Sequence, residues 1–377
     1  MNTKVQSLFE GRFGSRGLLY AAPGRINLIG EHTDYNEGFV LPGAIDMGIV
    51  AAIKPNGSNT VRAYAIDLDE YAEFALDQSE LPEQSWLRYI YGVCMEIKKR
   101  DGVVEGFDAA FSGDLPAGGG LSSSAALESV FGFAISDIYN EGNIDRFELA
   151  RIGQATEHNY CGVKCGIMDQ FASLFGSKGH LIRLDCRSME YEYFPFDTQE
   201  YRLVLINSRV KHELSGSPYN RRRESCERVA AALGRTSLRG ALLDEVMELK
   251  GKVSDEDLHR AIYVVGEEQR VLAVCEALNR GDYEEVGAQM YATHDGLSKD
   301  YEVSCEELDF LNDVAKECGV TGSRMMGGGF GGCTINLVKV DKYDAFVKCV
   351  TDKFFEKYDI HAGVIDVVIS EGTRRIE

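Results

Sequence analysis

Residues 113–128 read GDLPAGGGLSSSAALE, with three glycines and three serines set directly before a run that turns apolar at helical spacing. Val130, Phe131, Ala134 and Ile138 recur on one helical face and Gly142 follows as a stop, so the spacing predicts a helix from near Ser122 to Tyr139. A glycine run at the amino end of a helix lets backbone N–H groups approach a phosphate closely, and the helix dipole favours the negative charge. The competing reading is a plain glycine turn followed by serine N-caps. Three glycines and three serines at one helix start favour phosphate. No Gly-Lys-Ser/Thr follows, and the last glycine of a dinucleotide fingerprint is missing, so a Walker A loop and a Rossmann turn are both disfavoured.

Outward from this segment, residues 17–55 carry short apolar runs (LLYAA, INLIG, FVLP, GIVAAI) broken by Gly, Pro and Asn, which predicts strands and turns. A second helix is expected over 145–159 and a third beyond Asp169. After residue 198 come a strand (YRLVLINS), long charged helices through Arg280, and two further strand-like runs, TINLVKV and VIDVVIS. Strands packed against helices in this order predict an α+β fold. The 377 residues exceed what one core usually organises, so two domains are expected, 1–197 and 198–377.

Sixty acidic against forty basic side chains leave a formal charge of -20, which repels nucleic acid and anionic lipid at long range, so any anionic ligand must be held by local donors. Ten cysteines are scattered from Cys94 to Cys349 without a CxxC pair, which reads as small buried thiols in a reducing compartment. The first residues lack a continuous apolar segment and no later run reaches membrane-spanning length, so a cytoplasmic protein without membrane or nucleic-acid partners is expected. Nothing in the sequence specifies the oligomeric state, and a monomer is the working expectation.

Three further constellations carry chemistry. Residues 22–46, APGRINLIGEHTDYNEGFVLPGAID, set Arg25, Glu31, His32, Asp34 and Glu37 among turn residues. A hexose offers only hydroxyls, so its recognition needs both acceptors and donors of this kind; the acids and histidine could equally satisfy turn backbones. Residues 325–338, MMGGGFGGCTINLV, match GxGxxG formally but lead into a β-like run instead of a helix, leaving a glycine turn near the other motifs or a simple hairpin. In ATEHNYCGVKCGIMDQFAS, Glu157 and Asp169 flank a turn, and Asp169 reads as a base, a metal ligand or a helix cap.

Together the four strings resemble the galactokinases of the GHMP kinase superfamily over nearly the whole chain. GRINLIGEHTDYN resembles the galactokinase signature itself, whereas LSSSAALE and GGGFGG are shared across the superfamily. The resemblance implies an amino-terminal domain like ribosomal protein S5 and a ferredoxin-like carboxy-terminal domain, with galactose and ATP meeting in a cleft between them. It implies Glu31, His32, Thr33, Asp34, Gly166 and Tyr219 as galactose contacts, and a phosphate loop of Gly118, Gly119, Gly120, Leu121, Ser122, Ser123 and Ser124. It also implies Ser124 and Glu157 as the Mg²⁺-associated pair, Arg25 as the transition-state arginine and Asp169 as the proton acceptor. Pro218 stands where Glu or Ala is usual in the family and could shift Tyr219. The expected activity is transfer of the γ-phosphoryl group of Mg·ATP to the anomeric hydroxyl of galactose. The alternatives are an N-acetylgalactosamine kinase, or a non-catalytic galactose sensor of the same fold. Such sensors lose part of the serine-alanine loop, which is complete here from Ser122 to Ala126.

Overall fold

The computed structural model describes residues 1–116, 119–196, 199–210 and 218–376. Helices and three sheets are mixed along the chain, as the α+β reading expects. A six-stranded sheet takes the order Arg374–Arg375, Leu18–Asn27, Pro42–Pro55, Phe107–Gly113, Thr60–Ala65, Glu70–Ala75; only Thr60–Ala65 and Phe107–Gly113 run parallel. A four-stranded antiparallel sheet is ordered Gly322–Met325, Cys333–Lys339, Tyr201–Asn207, Gly363–Val367, and a small sheet joins Phe39–Val40, His180–Asp185 and Tyr191–Pro195.

The expected helix runs Ser123–Tyr139. Val130, Phe131, Ala134 and Ile135 are fully buried, in one cluster with Leu87, Ile90 and Val93 of the helix Ser85–Lys99 and Ala51 and Ile53 of the six-stranded sheet. That packing fixes where the helix begins, and therefore where the glycine run before it lies. The second helix covers the expected span in two parts: Asp145 caps Arg146–Thr156 by accepting from the Glu148 N–H at 2.9 Å, and a π-helical turn, Glu157–Cys161, continues it. A π turn widens the helix by one residue and often marks a functional side chain. Here it carries Glu157. The third helix, Met168–Phe175, starts before Asp169 and not beyond it.

Glycine-rich residues 326–332 connect the antiparallel strands Gly322–Met325 and Cys333–Lys339, so this motif is a hairpin turn. The carboxy-terminal segment returns to the amino-terminal sheet, pairing Arg374 with Ala21 and Arg375 with Tyr20. Eight of the cysteines are separate thiols, while the sulfurs of Cys318 and Cys349 are paired, linking the end of the helix Glu306–Glu317 to the helix Tyr343–Tyr358. No helix among the described residues is long and apolar enough to cross a membrane.

Candidate active site

The strand Leu18–Asn27 shifts register against Pro42–Pro55 between Pro23 and Arg25. Such an irregularity re-aims the side chain that follows it. Gly24 sits in the shift because a Cβ there would lie 2.6 Å from the Leu121 carbonyl. This close approach lets the Arg25 N–H donate to that same carbonyl at 3.2 Å, tying the strand to the loop before Ser123–Tyr139.

Arg25 is 4% exposed, and a buried guanidinium needs partners. It finds them in a fork: Nε donates to Asp169 Oδ1 at 2.8 Å and Nη2 to Oδ2 at 3.1 Å, while Nη1 donates to the Gly120 carbonyl. Planar two-point pairing of this kind fixes orientation as well as charge. The Ser122 hydroxyl also donates to Asp169 Oδ2. Ser122 adopts a left-handed conformation, φ 57° and ψ 54°, and makes no side-chain cap to its helix. Both capping readings therefore fall: Ile167 occupies the cap position before Asp169, and the Ser122 hydroxyl turns to the carboxylate instead of the helix end.

These groups line a cavity of about 480 Å³. Gly119, Gly120, Leu121, Ser122, Ser123 and Ser124 form one wall, with Glu157 beside them; Glu31, His32, Asp34, Gly166 and Tyr219 form another, and Arg25 and Asp169 stand at their junction. Gly118 lies outside the described residues. Thr33 was expected to touch the sugar, but its side chain is fully buried away from the cavity, with its hydroxyl 2.9 Å from the Gly30 carbonyl and 2.7 Å from that of Phe39. Thr33 closes the turn that holds its neighbours.

Gly166 is needed for space: a Cβ there would lie 1.9 Å from Asp34 Oδ2. Burial, aided by the charge of Asp169, pushes the Asp34 carboxyl up to about 7. Burial likewise raises Glu157 to about 7, against a hydrogen bond from Ser124 that favours its charged form. His32 has φ 62°, and its Nδ1 lies 2.6 Å from the Tyr35 hydroxyl. Burial and the nearby Arg222 lower it to about 3, so it serves as a neutral imidazole. Tyr219 packs against it with ring centroids 5.3 Å apart. Pro218 opens the helix Pro218–Ala232, a position where its missing N–H costs nothing, so the substitution is compatible with Tyr219 lining the cavity.

Glu31 is more deeply committed than its motif suggests. Its Oε1 accepts from the Gly327 N–H at 2.8 Å and from Arg324 Nη2 at 3.1 Å. Gly327 and Gly328 line the cavity too, so the third motif joins the site. Ser85, Arg88 and Tyr89, from the amino-terminal part of the helix Ser85–Lys99, were missed by sequence reading because an amphipathic helix start carries no motif.

Comparisons with known proteins show the family and the fold. Residues 7–55 match the galactokinase galactose-binding signature, 88–177 the GHMP kinases N terminal domain and 275–352 the GHMP kinases C terminal domain. The chain is 41% identical to a galactokinase of Thermotoga petrophila over 360 residues, covering 94% of this chain and 99% of that one. It is 42% identical to a galactokinase of Chloroflexus aurantiacus over 358 residues, 93% of this chain and 91% of the relative. Among solved structures, Lactococcus lactis galactokinase complexed with galactose superposes with a TM-score of 0.93 at 34% identity, covering 98% of each chain. The mevalonate kinase of Methanococcus jannaschii, at 19% identity and TM-score 0.63 over 95% of this chain and 99% of that one, shares the fold.

Proposed function

We infer from membership of the galactokinase family within the GHMP kinases, to which this chain belongs, that it transfers the γ-phosphoryl group of ATP to the anomeric hydroxyl of galactose. The observation that carries the residue assignment is the fork between Arg25 and Asp169 at the junction of the two cavity walls. Phosphoryl transfer needs alignment, charge neutralisation and somewhere for the nucleophile's proton to go.

In this reading Glu31, neutral His32, Asp34 and Tyr219 orient the sugar, with Gly166 leaving room for the Asp34 carboxylate. Asp169 Oδ1 receives one donor, from Arg25 Nε, and so keeps a lone pair to accept the O1 proton. Backbone N–H groups of the loop ending at Ser124 hold phosphate oxygens. The Arg25 guanidinium, between the loop carbonyl of Gly120 and Asp169, offsets charge as the bond to the leaving phosphate breaks.

Ser124 and Glu157 suit Mg²⁺, which takes hard oxygen ligands and usually shares them with substrate phosphates. The fit rests on a buried carboxylate whose charge burial disfavours and a cation would favour, next to a hydroxyl. Ser124 and Glu157 would hold the ion, and the chemistry it would supply there is neutralisation of phosphate charge. Ser124 would hold its place on that side while Glu157 supplies the charge. A cytoplasmic location and a division into domains at residues 197 and 198, which lie outside the described residues, belong to the same proposal; the first is supported by the scatter of cysteines without a CxxC pair and the second by the change of sequence pattern there.

A coupled ADP-release assay across sugars tests the reading. Asp34 fixed for the axial C4 hydroxyl of galactose would be left unpaired by glucose, so kcat/KM should fall steeply for glucose. Equal values for the two, or preference for N-acetylgalactosamine, would overturn the galactose assignment.

A further inference from the structure

Arg324 lies in the four-residue strand Gly322–Met325, outside every motif described above, and is completely buried. A buried guanidinium is tolerated when its donors are used, and here they reach three separate segments around the site. Nε donates to the Leu28 carbonyl at 2.8 Å and Nη2 to that of Asn27 at 2.5 Å, at the end of the strand that carries Arg25. Nη1 donates to the Met325 carbonyl at 2.6 Å, at the base of the glycine turn. Nη2 also meets Glu31 Oε1 at 3.1 Å, the oxygen that accepts the Gly327 N–H of that turn. The turn in turn abuts the phosphate loop: a Cβ on Gly120 would lie 3.3 Å from the Met326 carbonyl, and one on Gly327 3.5 Å from the Gly120 Cα. Glu31 and Gly120 both line the cavity, joined through Gly327.

We propose that Arg324 is a positioning residue which, through Glu31 and Gly327, couples the sugar wall of the site to the nucleotide wall, so that galactose and ATP each change the affinity for the other. The proposal rests on the galactokinase reading of the two walls. One carboxylate faces the sugar end while its Oε1 holds the turn on which the phosphate loop rests, so a shift of Glu31 on sugar binding is felt at Gly120. Such coupling is reciprocal by thermodynamic necessity. Lysine cannot replace the fork, since an ammonium presents a point charge with three donors and no fixed plane.

The test measures binding of the non-hydrolysable ATP analogue AMP-PNP with Mg²⁺ by titration calorimetry, with and without saturating galactose, in the wild type, Arg324→Lys and Glu31→Gln. Wild-type affinity should change by about fivefold or more with galactose. The ratio should move toward one in Arg324→Lys. Glu31→Gln, which keeps size and shape but loses the charge opposite Arg324, should weaken AMP-PNP binding several-fold even without sugar. A role in stability alone would lower the melting temperature and leave these quantities where they were. A wild-type ratio of one, a ratio preserved in folded Arg324→Lys, or wild-type AMP-PNP affinity in Glu31→Gln overturns the proposal. Should Arg324→Lys fail to fold, the Glu31→Gln result decides. Galactose-dependent ADP release by the wild type checks the underlying reading separately.

Discussion

Asp34 and Asp169 both line the cavity, and their mutual repulsion adds to the burial that lifts the Asp34 carboxyl to about 7. As a carboxylate Asp34 only accepts hydrogen bonds, and protonation removes part of that capacity. Galactose kcat/KM should therefore fall as pH drops through about 7. Asp34→Asn should remove the Asp34 share of that limb, leaving the share of Glu157, which also lies at about 7, and lower kcat/KM roughly ten- to hundredfold through the mispaired sugar hydroxyl. A pH–rate profile of the two proteins checks it; an unaltered limb in the variant counts against Asp34. The same shift has a stability consequence of opposite sense. Between the unfolded carboxyl value near ~3.9 and the folded value the native state binds the extra proton, so the sugar-free enzyme loses stability as pH rises through that window. At the other wall, Glu157→Gln and Ser124→Ala should lower turnover and raise the Mg²⁺ concentration needed for half-maximal rate. Galactose affinity should change less. Wild-type Mg²⁺ dependence in both would remove the assignment.

Elements with strong periodicity were readable and elements without it were not. The helix Ser123–Tyr139 announces itself through Val130, Phe131 and Ala134, all of which are buried as expected. The π turn at Glu157 does not, because one extra residue in a helix leaves no trace in composition. Ser122 misled by chemistry: a serine before a helix favours capping, yet its left-handed backbone sends the hydroxyl to Asp169. The long helix Asp255–Arg280 shows what its own local signals accomplish. Ser254 caps it by accepting from the Asp257 N–H at 3.1 Å, and Asp257 takes a two-point contact from Arg228 at 2.9 and 2.7 Å. The hydrogen bonds from Arg228, joined by those from Ser225 and Ser254, hold the Asp257 carboxyl down at about 2. Its contribution is complete above the unfolded value near ~3.9 and is lost as pH falls through about 2. Asp257→Asn should cost about 1–2 kcal/mol at neutral pH, discounted because Arg228 is half exposed, and should flatten the acid limb of stability. Urea melts at pH 7 and pH 3 measure both; equal losses at the two pH values would contradict the account.

Across the whole molecule, the strings flagged in the sequence meet in one cavity although Arg25 and Asp169 are 144 residues apart and Glu31 and Gly327 are 296 apart. Which residue types would gather was legible, since phosphate needs glycine and helix amino ends while a hexose needs paired donors and acceptors. How they are held was not. Arg324 and the pairing of Arg374–Arg375 with the first strand are consequences of tertiary packing, and no local pattern encodes them. The Arg25–Asp169 fork is the proposed reacting centre, and Asp169→Asn tests that role most directly. Asparagine keeps the shape but loses the charge and the proton-accepting carboxylate. Measured by ADP release with saturating galactose and Mg·ATP, kcat should fall by roughly 10²–10⁴-fold while the melting temperature shows a folded protein. A folded Asp169→Asn variant that turns over galactose at near the wild-type rate would contradict it.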